Sequence, residues 1–195
     1  MQDISVTNPL SRKVGIALFL AIIIALQSFT TFIRPGLIPI TLTLPIIMIG
    51  AVLYGAKNAA VLGAGFGFIV MMSGITGAAP LSTLLWSINP AIMILGTVGR
   101  GIAVGLITGF VYWLVSKKRT WAGIVSAAVI APVVNTGVFL GVMVLFFQSA
   151  LPENATTFFA LFGAWVGVNF AIELLVNIAV VPWVVNIAMI VKKSN

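Results

Sequence analysis

The sequence predicts an all-α polytopic membrane protein of six transmembrane helices with an outward-facing substrate pocket, and three observations predict it. Of its 195 residues, 61% are apolar and 7% charged, against roughly 45–50% and about 25% in soluble domains, so the chain lacks the polar residues to cover a water-facing surface. Its apolar residues gather in six runs separated by charged or Pro/Gly-rich breaks, on the length scale of a bilayer crossing. The basic residues fall in alternate breaks, as cytoplasmic loops require.

The first run, residues 14–33, ends at Arg34-Pro35-Gly36. It is too long for a signal-peptide core and lacks a small-residue cleavage site, so it stays as a span. The second and third, residues 40–54 and 59–72, are about 15 residues each and are separated only by Gly55-Ala56-Lys57-Asn58. They read as a tilted hairpin or as partly unwound helices, with Pro45 interrupting the second. The segment 73–87, with Gly74, Gly77, Pro80 and Trp86, reads as a flexible loop. It leads to the fourth run, residues 88–115, and the fifth covers 121–147. The sixth, residues 158–191, would measure about 51 Å as one helix, so it must tilt, break near Pro182 or protrude.

With six spans, one side receives Arg12, Lys13, Lys57, Lys117, Lys118, Arg119, Lys192 and Lys193, and the other Arg34 alone. Both termini are therefore expected on the cytoplasmic face of the plasma membrane. The net charge of +7 is accounted for by this topology, so the partner surface is the lipid bilayer and no nucleic-acid role is expected. No internal repeat or linker divides residues 1–195, which read as one domain. The absence of Cys and His excludes disulfides and thiolate sites and removes the usual zinc ligand and general base. Neither a catalytic residue nor a metal site is expected, and the chain does not read as an enzyme.

An ionisable residue at membrane depth is expensive and marks a functional site by default. Arg100 in the fourth run and Glu173 in the sixth are the two that qualify. Counted from Lys117 and Lys192 they lie about 26 Å and 28 Å from the cytoplasmic side, and Asn135, counted from Arg119, about 24 Å. Trp165, Asn169, Glu173 and Asn177 recur every fourth residue and so share one helical face. Gln27 and Asn89 add hydrogen-bonding groups near the outer side, and Trp86 with Trp165 supplies apolar walls. Arg100 and Glu173 can also be read as a structural ion pair, with the amides as interhelical glue. Small residues form further stripes: Ala17, Ala21 and Ala25, then Gly63 and Gly67, then Gly101, Gly105 and Gly109. Close helix packing explains the glycines, whereas the first-span alanines are the better intermolecular surface.

Six spans, the Ala17-x-x-x-Ala21 motif, Ile40-Thr41-Leu42-Thr43-Leu44-Pro45 running into Ile49-Gly50-Ala51-Val52-Leu53-Tyr54-Gly55, and Gly63-Ala64-Gly65-Phe66-Gly67-Phe68 resemble the substrate-binding S-component of energy-coupling-factor (ECF) vitamin transporters. The resemblance covers essentially the whole chain and is greatest to the pantothenate-specific members, with folate, riboflavin, a thiamine precursor and other vitamins as the alternatives. It implies six helices around one small-molecule vitamin near the outer face, capped by the segments 34–39 and 73–87. It also implies docking of the Ala17 stripe on a transmembrane coupling subunit, with two cytoplasmic ATPase subunits driving the cycle. No Gly-x-x-x-x-Gly-Lys-Ser/Thr motif is present, so ATP is expected to be used by partner subunits, with no cofactor bound by this chain. Arg100 suits a carboxylate and the Asn side chains suit hydroxyls and amides. Leu84 and Trp86 give the 73–87 segment an apolar face for a ligand-covering lid. The competing class is a self-contained secondary transporter or small channel using Glu173 as a proton site, which the lack of a repeat disfavours.

Overall fold

A computed structural model describes residues 8–32, 41–147 and 166–194; all regular structure among them is helical. Trp165 and the 34–39 segment lie outside the described residues. Helix α1 (Pro9–Thr30) starts before the apolar run does, because Asn8 caps it. The Asn8 Oδ1 accepts from the Leu10 and Ser11 N–H groups at 3.0 and 3.4 Å, and Pro9 occupies a first-turn position that needs no donor.

Helix α2 (Leu44–Tyr54) has 11 residues, about 16 Å. Pro45 starts this helix rather than interrupting it. Its ring is tolerated in a first turn, where no donor is needed, and the Thr43 carbonyl before it accepts from the Ile47 N–H at 3.3 Å. The helix is apolar all round and is the central post of the bundle. Met48 and Val52 pack with Tyr112, Ile124 and Ala127 on one side, and Leu44, Ile47 and Ala51 with Ile23, Leu62 and Phe66 on the other.

Gly55 alone links α2 to α3 (Ala56–Ile75), at φ +81, a left-handed conformation that glycine adopts without strain. The four-residue linker read from sequence contracts to this one residue. Asn58, already inside α3, donates its Nδ2 to the Tyr54 carbonyl at 2.6 Å and so satisfies an end group of α2. The segment expected as a loop at 73–87 is mostly helical. After a turn at Gly77 (φ +77), α4 (Pro80–Ile88) forms with Pro80 in its first turn and Leu81 and Leu85 buried one turn apart.

Helix α5 (Pro90–Ile94), a π-helical turn (Leu95–Gly99) and α6 (Arg100–Ser116) form one rod. It crosses α3 at backbone contact. A Cβ added to Gly63 would collide with the Gly101 carbonyl, one on Gly101 with that of Gly63, one on Gly105 with that of Ala59, and one on Gly67 with that of Thr97. The glycine stripes are thus used inside the molecule. The alanine stripe is not: Ala17, Ala21 and Ala25 are all exposed on α1.

Helix α7 (Thr120–Phe146) continues through the buried Pro132, as helices in lipid can when neighbours take up the freed carbonyl. The last run breaks, the second of the three outcomes expected for it. Helix α8 (Gly167–Ala179) gives way at Val180 to α9 (Val181–Ser194), where Pro182 has no N–H to offer the Ile178 carbonyl. Among the described residues five helical stretches are long and apolar enough to cross a membrane: Pro9–Thr30, Ala56–Ile75, Pro90–Ser116, Thr120–Phe146 and Gly167–Val191. The shorter Leu44–Tyr54 is apolar too.

Candidate functional site

One cavity lies among α1, α3, the α5–α6 rod, α7 and α8, with α4 across it. The space open to the centre of a water molecule is about 70 Å³, several times the roughly 10–15 Å³ one water requires by that measure. Its wall is divided by chemistry. Gln27, Thr31, Thr41, Arg100, Asn135, Asn169 and Glu173 form the polar part, and Leu81, Leu85, Met93, Met143, Phe147 and Val166 the apolar part.

The polar part is assembled by helical phase. Met93, Gly96, Thr97 and Arg100 lie on one stripe of the α5–α6 rod, and Asn135, Phe139, Val142 and Met143 on one stripe of α7; both stripes face the cavity. Asn169 and Glu173 are one turn apart on α8. Glu173 is 4% exposed. It accepts from Asn135 Nδ2 at 3.1 Å, and Thr41 stands with it in the cavity wall. An amide donor thus meets this buried carboxyl group, as burial of a polar side chain demands.

Arg100 is held differently. It is 9% exposed, its Nε has no hydrogen-bond partner, and its guanidinium carbon lies 5.6 Å from the Phe66 ring centroid and 5.4 Å from that of Phe139. Cation–π contact orients the group while the Nε donor stays unpartnered. It feels the Glu173 charge, but no hydrogen-bonded Arg100–Glu173 pair forms among the described residues. Asn135 Oδ1 is also buried without a partner. A buried polar atom left unmatched costs about 1–3 kcal/mol, so the cavity favours a guest with an anion for Arg100 and a donor for Asn135.

Of the residues proposed from sequence, Gln27, Arg100, Asn135, Asn169 and Glu173 meet at this cavity. Asn177, Asn89 and Trp86 are not in its lining. Asn177 lies fully buried one turn beyond Glu173 and donates its Nδ2 to the Glu173 backbone carbonyl at 2.8 Å. Asn89 is exposed and caps α5, its Oδ1 accepting from the Ile92 N–H at 3.1 Å. Trp86 packs from outside on the cluster of Leu81, Leu85, Met93 and Phe147. The cavity-facing side chains of α4 are Leu81, Ser82 and Leu85, whereas Leu84 points away and is 45% exposed. Thr41, Phe66 and Phe139 were not anticipated. Phe139 stands one turn from Asn135, so extending the polar residue's own helical face would have found it. Among the described residues no group of three or more Asp, Glu, His or Cys is placed to hold a metal.

No protein-family model matches the chain. It is 30% identical over 184 residues, 86% of its own length and 90% of the relative's, to the pantothenic acid transporter PanT of Lactococcus lactis subsp. cremoris (strain MG1363).

Proposed function

The chain belongs to the family of the pantothenic acid transporter PanT, and from that premise we propose that it is the membrane-embedded S-component of an ECF-type uptake system for pantothenate. The observation that carries this reading is Arg100, a buried guanidinium with an unmatched donor, at a cavity that also offers an unmatched amide oxygen and an apolar wall. Pantothenate has a carboxylate for the first, amide and hydroxyl donors for the second and a branched apolar group for the third. In this reading α2 with the preceding residues completes a sixth crossing, both termini are cytoplasmic, and the cavity opens outward. Glu173, with Asn135 and Asn169, orders the polar wall.

The chain delivers the vitamin with a transmembrane coupling subunit and two cytoplasmic ATPases, ATP being used by those partners and no cofactor by this chain. The exposed Ala17, Ala21 and Ala25 on α1 form the docking face, since small side chains allow two helices to approach closely. Ala17→Leu or Ala21→Leu should cut uptake by the full complex severely and leave pantothenate affinity unchanged. Normal uptake by both variants would remove α1 from the coupling surface. Helix α4 is the cover. A cysteine introduced at Ser82, which lines the cavity in a chain without native cysteines, should be labelled several-fold more slowly with saturating pantothenate. Equal rates would reduce α4 to a connector.

The test of the function itself is mass spectrometry of the small molecule that co-purifies with the detergent-solubilised chain, followed by titration with pantothenate. A different vitamin in the cavity would replace the assignment.

A further inference from the structure

The rod that carries Arg100 is not a uniform α-helix. Over Leu95–Gly99 it widens into a π-turn, the equivalent of one extra residue inserted into an α-helix, a feature that recurs at functional sites. The Arg100 N–H, whose α-helical partner would be the Gly96 carbonyl, donates instead to the carbonyls of Leu95 and Thr97. The Gly96 carbonyl thereby loses its regular donor, and Gly96 lies in the cavity lining beside Thr97 and Arg100. Packing is close there, since a Cβ at Gly96 would sit 2.9 Å from Val142 Cγ1 and Val142 would have to shift. The Thr97 hydroxyl is turned inward to the Met93 carbonyl at 2.8 Å, so it does not supply the missing donor.

We propose that the π-turn is part of the ligand site, its Gly96 backbone carbonyl accepting a hydrogen bond from an N–H or O–H of the ligand whose anionic end is held by Arg100. Resting on the pantothenate reading, this narrows the substrate class from carboxylates in general to acids that carry an amide or hydroxyl donor within a few bonds' reach of the carboxylate. The bare guanidinium cannot make that distinction, because it recognises any carboxylate. An acceptor built from backbone is also proof against side-chain substitution.

Deleting Val98 tests it. The deletion turns the i→i−5 bond from Arg100 to Leu95 into an ordinary i→i−4 bond and gives the Gly96 carbonyl back a helical donor, the Gly101 N–H. The flanks keep their phase, so Arg100 still faces the cavity. The ΔVal98 protein is expected to bind pantothenate at least ten-fold more weakly by calorimetry. In parallel, the unmodified protein is titrated with pantothenate analogues lacking one donor each: an ester in place of the amide, and the two deoxy compounds. One of the three should bind at least ten-fold more weakly than pantothenate. If all three bind within two-fold of it, or if folded ΔVal98 keeps full affinity, the carbonyl is not a ligand contact; should ΔVal98 fail to fold, the series is repeated on Asn135→Ala, where the loss persists if Gly96 accepts from that donor and disappears if Asn135 does. An unmodified protein that binds no pantothenate at all would overturn the functional reading, and this inference with it.

Discussion

Replacing Arg100 with alanine is expected to weaken pantothenate binding about thirty-fold or more while leaving the protein folded. Breaking a buried, charge-assisted contact costs roughly 2–5 kcal/mol, and about 2 kcal/mol is already thirty-fold. Folding should survive because the guanidinium makes no hydrogen-bonded ion pair among the described residues, and Glu173 keeps its bond from Asn135. Arg100→Lys keeps the charge but loses the planar fork and its fit between Phe66 and Phe139, so it should fall between the two. Calorimetric titration with size-exclusion profiles of each variant provides the check. Unchanged affinity in a folded Arg100→Ala protein, or its failure to fold, would make Arg100 structural.

The largest effect on stability is expected at the crossing of α3 and α6. Gly101→Ala puts a methyl group onto the Gly63 carbonyl, and the neighbour is backbone, which cannot rotate away as a side chain can. Overpacking of this kind costs about 1–3 kcal/mol or more, and it outweighs the roughly 1 kcal/mol by which alanine is the better helix former. Gly137→Ala is the control: its Cβ would meet no atom within 4 Å, so the propensity gain should appear as unchanged or raised thermal stability in detergent. If Gly101→Ala melts no lower than Gly137→Ala, the two rods are not locked at this point.

The cavity was legible in sequence where membrane physics makes residues conspicuous. Arg100, Asn135 and Glu173 stood out because charge and amide groups are rare at depth, and a rise of about 1.5 Å per residue sufficed to bring three separate helices to one layer. Phe66 and Phe139 were not legible, since an aromatic ring in an apolar run carries no contrast in hydropathy. Asn89 was read as a ligand candidate although Asn before Pro90 is also the signature of a helix cap, and that local role is the one it fills. Helix α4 was hidden by its own composition: Gly77 and Pro80 signal a loop, yet Pro80 opens a helix whose Leu81–Leu85 pair has a core to bury against. The π-turn leaves no trace in residue pattern, because inserting one residue changes phase without changing composition.

Arg100 and Glu173 are the two ionisable side chains of the cavity wall among the described residues, and neither leaves with the guest. A carboxylate guest therefore carries its own negative charge across. Carrying one elementary charge through a membrane potential involves about 2.3 kcal/mol per 100 mV, and in a cell negative inside, the field opposes an entering anion. On the proposed reading each delivery is thus electrically uphill before any concentration gradient is counted. Hyperpolarisation would slow uptake at fixed ATP supply, the reverse of what it does to a cation carrier.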